Sequence, residues 1–88
     1  MTSSRFEILT RRLRAYANVN AYDLDALKAN LDRPDNAEAR ETFRAQLEDL
    51  INTLAIPRDE YEALTGEAFD DDAEYRTALL SIRATLFP

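Results

Sequence analysis

"DNAEARETFRAQLEDLINTLAIP", residues 35–57, carries an apolar stripe at helical spacing. Ala39, Phe43, Leu47, Leu50, Ile51 and Leu54 recur every three or four residues, which places them on one side of an α-helix. Asp35 and Glu38 have the spacing of a capping box, with Asp as the cap. "AIP" at 55–57 stops the pattern, because a residue before proline avoids the helical region. A helix of this kind is stabilised mainly by burying its stripe against other elements. The question is whether the rest of the chain supplies them.

Upstream, "SRFE" at 4–7 is a second capping box, and Phe6, Leu9, Leu13 and Tyr16 follow it as one stripe. Arg11, Arg12 and Arg14 lie off that stripe, as does Ile8. "NVN" at 18–20 ends this helix. A short helix follows, with Asn20 as its expected cap, Asp23 in its first turn and Leu24, Leu27 and Leu31 as its apolar face. Pro34 closes it.

Downstream, "RDEYEALTG" at 58–66 reads as one or two turns begun near Pro57. Tyr61 and Leu64 face inward, and Gly66 ends the helix in the left-handed conformation. The last helix starts near Asp71, with Tyr75, Leu79, Ile82 and Leu86 on one stripe. Leu80 and Phe87 form a second apolar line, so this helix either packs on two sides or offers those two residues to a partner.

Composition agrees with helices throughout. The apolar fraction is 45%, mostly alanine and leucine, with one valine and four isoleucines. Strands favour β-branched and aromatic residues, whereas helices favour Ala, Leu, Arg and Glu. The expected fold is all-α: residues 1–88 form a single-domain compact bundle of four to five short helices with brief connections.

The chain has no cysteine and no histidine. Disulfides and thiolate metal sites are impossible, and the commonest general base is missing. One glycine rules out a phosphate-binding glycine loop. A carboxylate metal site in a bundle usually adds a Glu-x-x-His motif, which this chain cannot form. No catalytic residue, metal or cofactor is expected, and the chain reads as a non-enzyme. No apolar run resembles a signal peptide core or a membrane span, so the expected location is the cytoplasm, with no membrane partner.

Net charge is −6, unevenly spread. Residues 1–44 hold eight Lys/Arg and seven Asp/Glu; residues 45–88 hold three Arg and ten Asp/Glu. The acidic half disfavours nucleic acid, since phosphate binding needs a basic face. The acids concentrate around the only glycine. Asp59, Glu60, Glu62, Glu67, Asp70, Asp71, Asp72 and Glu74 fall within sixteen residues, opposed only by Arg58. "DDDAEY" fails as a calcium loop: counted from Asp70, Tyr75 stands where the sharp turn needs glycine and Ser81 where a bidentate acid is needed. Asp71 and Glu74 have capping-box spacing instead. One cap and one dipole partner suffice there, and a third adjacent acid adds repulsion. The surplus, with Phe69 beside it, is open to two readings: a solvated capping face, or a surface for a basic protein partner that steers by charge and anchors by an aromatic. On the second reading the partner-binding residues are Asp59, Glu60, Glu62, Glu67, Phe69, Asp70, Asp71, Asp72 and Glu74.

Three segments carry a resemblance: "LRAYANVNAYD" at 13–23, "RPDNAEARETFRAQLEDLI" at 33–51 and "LTGEAFDDDAEYRTALLSIRATLF" at 64–87. The chain resembles the small helical immunity proteins of bacterial contact-dependent growth inhibition systems. In those proteins an aromatic near the end of the first helix is followed by an acid, here Tyr16 and Asp23. A short turn then precedes a final leucine-bearing helix. The resemblance implies a non-catalytic antitoxin that binds a cognate toxin domain, often a nuclease with a basic substrate face, and occludes it. The alternative is a helical scaffold or self-associating regulatory protein that uses Leu80 and Phe87.

Overall fold

The computed structural model describes residues 4–88. Five helices supply most of the core, with Phe6, Ala17 and Ile56 added from their flanks: α1 (Glu7–Tyr16), α2 (Leu24–Leu31), α3 (Ala37–Thr53), α4 (Arg58–Thr65) and α5 (Asp72–Leu86). There is no strand among the described residues. The fold is an all-α bundle of 37 × 25 × 25 Å.

α3 is the spine. Phe43, Leu47, Leu50 and Ile51 of its stripe are buried. α1 and α5 both pack on it, and Leu9 and Leu13 of α1 and Leu79, Ile82 and Leu86 of α5 share its buried core. Leu27 and Leu31 of α2 close the core between α1 and α5. Burying each of these side chains contributes roughly 1.5–3 kcal/mol. α4 packs across α1, with Tyr61 and Thr65 buried.

The stripe expected for α5 is buried, and those of α1 and α3 are buried except for half-buried Tyr16, Ala39 and Leu54, whereas the helix starts differ from expectation in three places. α1 begins at Glu7 after a 3₁₀ turn, Ser4–Phe6; the side chain of Ser4 lies outside the described residues. The Glu7 carboxylate accepts from Arg11 at 2.7 Å. An orphan amide of the first turn, Leu9 N–H, donates to Gln46 Oε1 of α3 at 2.8 Å. Arg5 adds a bidentate clamp onto Asp49, both contacts 2.6 Å. Tertiary partners thus anchor this end. The Asp49 carboxyl lies below its usual range, chiefly through the hydrogen bond from Arg5.

The cap of α2 is Asp23, not Asn20. Its Oδ1 accepts from Ala26 N–H at 2.9 Å, while Asn20 belongs to the preceding turn and donates its N–H to Asn18. The Asp35–Glu38 capping box does not form. Pro34 starts a 3₁₀ turn, Pro34–Asn36, and Asp35 pairs with Arg33 instead. Asn36 precedes α3 and donates its side-chain amide to the Asn30 carbonyl at 2.7 Å, tying α3 to the end of α2.

Leu54 lies beyond the end of α3 rather than within it. Its φ is 48° and its N–H bonds Leu50 O at 2.7 Å, closing the last turn in the left-handed region that glycine usually occupies. Gly66 closes α4 the same way at φ 83°, as expected. No described helix is long and apolar enough to cross a membrane.

Candidate functional site

The site is built where the end of α3 meets the starts of α4 and α5. α5 satisfies one orphan carbonyl in the last turn of α3 and one carbonyl of the α3–α4 connection. Arg76 Nε donates to Ile51 O at 3.0 Å, and the buried Tyr75 hydroxyl donates to Ile56 O at 2.9 Å. These two bonds bring the first turn of α5 against the α3–α4 connection.

α5 itself starts on Asp71. Its Oδ1 accepts from Glu74 N–H at 2.8 Å, with Asp71 extended and Asp72 the first helical residue. Glu74 supplies only the accepted N–H, so this is half of a capping box.

Between Gly66 and Asp71 the chain folds inward at Phe69. Phe69, Tyr61 and Tyr75 form an aromatic cluster with ring centroids 5.0–5.9 Å apart. Phe69 and Tyr75 are nearly parallel, at 19°. Phe69 is therefore half-buried and packed against the core rather than displayed. Burial holds the Tyr61 and Tyr75 hydroxyls well above the usual tyrosine range, with nearby Glu67 adding to it for Tyr61, and Glu60 and Asp72 for Tyr75.

Arg58 straps this loop down. Its Nη1 donates to Phe69 O at 3.3 Å, and its Nε pairs with Asp72 Oδ1 at 3.0 Å. Around it opens a depression of about 430 Å³ lined by Leu54, Pro57, Arg58, Asp59, Glu62, Phe69, Asp72 and Tyr75.

Of the nine residues expected at a binding surface, the structure gathers Asp59, Glu62, Phe69 and Asp72 at this groove. Glu60, Asp70 and Glu74 are exposed outside its lining. Asp71 is engaged as the cap. Half-buried Glu67 lies toward Tyr22 of the α1–α2 loop, where its charge adds to burial in raising the Tyr22 hydroxyl. Among the eight acids only Asp72 has an ion-pair partner among the described residues. Elsewhere Glu7, Asp32, Asp35, Glu41, Glu48 and Asp49 are all paired. No group of three acids in the described residues is placed to hold a metal ion.

Leu54, Pro57, Arg58 and Tyr75 join the site without having been expected there. Arg58 had a signal in the sequence, since a lone cation among eight acids must pair with some of them. The other three had none, because their place depends on how α3 meets α5.

The apolar pair on α5 is split by the fold. Phe87 is half-buried against Phe43, at 6.2 Å between centroids, with the guanidinium groups of Arg40 and Arg44 at 4.9 and 5.7 Å from its ring. Leu80 remains on the surface at 36% exposure.

A scan against protein-family models and searches of curated proteins and of solved structures return no match.

Proposed function

We propose that this chain is a non-catalytic binding module that docks a basic protein domain on the acidic surface around the α4–α5 junction. By its resemblance to small helical immunity proteins, it acts in the cytoplasm as an antitoxin that occludes the substrate face of a cognate toxin, a nuclease being the natural fit. The observation that carries the reading is the contrast in pairing. Most acids outside residues 59–74 have a cationic partner, whereas seven of the eight inside do not: Asp59, Glu60, Glu62, Glu67, Asp70, Asp71 and Glu74. Helix-start N–H groups engage two of the seven: Asp71 accepts from Glu74 N–H and Asp59 from Glu60 N–H. Unpaired like charges on one surface repel one another, and a basic partner removes that repulsion. The competing reading, self-association through Leu80 and Phe87, has less support because Phe87 already packs on Phe43.

The test is co-expression with the C-terminal domain of any effector whose gene neighbours this one in the host genome. That domain should arrest growth, and this chain should restore it. A variant carrying D59N, E62Q, E67Q and D70N should fold to the same helical content yet fail to rescue. Rescue by the neutralised variant would remove the acidic surface from the interface. Failure of the wild-type chain to rescue would remove the immunity role against that domain.

A further inference from the structure

Among the described residues three large apolar side chains are exposed, and two of them share one loop. Val19 and Tyr22, each 52% exposed, lie in the α1–α2 connection, whereas Leu80 stands apart on α5. Ala21 between them is exposed as well. Apolar side chains scattered singly over a surface need no explanation, but a valine and a tyrosine shown together by one short loop do.

The loop is fixed in place. Ala21 N–H donates to Asn18 O at 2.9 Å and Asn20 N–H to Asn18 Oδ1 at 2.8 Å, which closes the turn. Asp23 N–H donates to Tyr16 O at 2.7 Å and ties the far end of the loop back to α1. Val19 N–H donates to Thr65 O at 2.9 Å, and the Val19 side chain lies against Gly66, so the loop is seated on the end of α4. A loop already ordered in this way loses little further entropy when a partner covers it.

This seating joins two stretches of chain that carry no cation. Residues 15–27 and 59–75 together hold ten of the seventeen acids and none of the eleven Lys/Arg. They meet at Val19 and Thr65, and Glu67 lies close enough to Tyr22 for its charge to act on the hydroxyl. Asp23 and Asp25, the acids of the first stretch, have no ion-pair partner among the described residues. An apolar pair with a cation-free acidic border is complementary to a surface whose apolar side chains stand among Lys or Arg. A second copy of the same loop would bring no cation to these acids and would set like charges against one another. Tyrosine suits the anchoring role, because its ring buries a large rigid area while its hydroxyl stays at the wet edge.

We propose that the α1–α2 loop is the apolar anchor of the docking surface: Val19 and Tyr22 seat against a basic protein domain, and the acids beside Glu67 border the contact. The inference rests on the acidic docking surface proposed above. It moves the hydrophobic centre of that surface from Phe69, which packs inward, to Tyr22.

The experiment is an amide chemical-shift titration of the full chain at about 100 mM salt. The probes are a short acetylated lysine–leucine peptide, its lysine–serine counterpart and its glutamate–leucine counterpart. The lysine–leucine peptide should bind at least about fivefold tighter than either counterpart, with shifts centred on the amides of Val19, Tyr22, Gly66 and Glu67. Y22S should weaken it about fivefold and V19S/Y22S about tenfold, with melting temperatures near that of the wild type, whereas L80S should leave it within about twofold. Equal binding of the lysine–leucine and lysine–serine peptides, or shifts centred on Asp70 and Glu74, would overturn the anchor and leave the acidic docking surface standing. Equal binding of the glutamate–leucine peptide would overturn the basic partner. Shifts at Tyr22 that grow with protein concentration alone would assign the loop to a second copy of the chain and overturn the proposal, as would no saturable binding by any peptide. Failed growth rescue with intact lysine–leucine selectivity would instead overturn the antitoxin role and leave the anchor in place.

Discussion

Gly66→Ala should destabilise the chain by about 2 kcal/mol through two separable effects. The first is backbone conformation. Gly66 has φ 83°, and an L-residue there costs roughly 1–2 kcal/mol. The usual gain from a less flexible unfolded chain, about 0.4–1 kcal/mol, offsets part of this. The second is a clash. A Cβ on Gly66 would stand 2.7 Å from Val19 Cγ2. Val19 is 52% exposed, so its side chain has room to turn, but an off-rotamer valine costs about 0.5–1.5 kcal/mol. Moving its backbone would instead strain the Val19 N–H bond to Thr65 O, 2.9 Å long. Each kcal/mol shifts the melting temperature of a domain this size by about 4–8 °C. The assay is thermal unfolding followed by circular dichroism on the wild type, G66A, V19A and the double variant. In the V19A background the clash is gone, so G66A should there cost only about 1 kcal/mol. A G66A protein that melts at or above the wild-type temperature would refute the left-handed cap. Strict additivity in the double variant would refute the contact with Val19.

Three further outcomes follow from the same geometry. Asp71→Ala should cost about 1 kcal/mol by removing the acceptor for Glu74 N–H, whereas Asp70→Ala should change urea stability by less than about 0.5 kcal/mol. Tyr75→Phe should cost about 1 kcal/mol, because it leaves the Ile56 carbonyl without its donor; an unchanged urea midpoint would contradict that bond. Stability should fall in alkali: the folded state holds the Tyr61 and Tyr75 protons more tightly than the unfolded chain, so the stabilisation is complete below about pH 10 and is lost as pH rises beyond it. Urea midpoints at pH 8, 10 and 11 check the sign, and a flat profile would contradict the burial of these hydroxyls.

Periodicity made the core legible. The stripes of α3 and α5 can be drawn from spacing alone because a buried face repeats every three or four residues regardless of its partner. Gly66 and Asp71 were legible for a local reason: a left-handed residue and an N-cap are each set by their own few neighbours. Asn20 and Asp35 show the limit of that logic. Both are acceptable caps, but Asp23 lies closer to the first apolar residue of α2, and Pro34 tightens the chain so that Asp35 turns to Arg33. Leu54 adopts a conformation that leucine rarely takes, which no propensity foretells. At the candidate site the charges were legible and their arrangement was not. Phe69 lies in a loop without periodicity, so nothing in its neighbours indicates that it turns inward onto Tyr61 and Tyr75. Arg76 and Tyr75 border the groove by reaching back to the Ile51 carbonyl of α3 and the Ile56 carbonyl of the α3–α4 connection, 25 and 19 residues earlier in the chain.

Docking of a basic partner on the acids of the α4–α5 junction should show in association kinetics with the C-terminal domain of a neighbouring effector. The association rate should be measured at low and high salt for the wild type and for D59N/E62Q/E67Q/D70N. The wild-type rate should fall at least tenfold between about 50 and 500 mM salt, and the neutralised variant should be slow and nearly salt-independent, with both proteins melting at similar temperatures. Equal rates and equal salt slopes for the two proteins would contradict it.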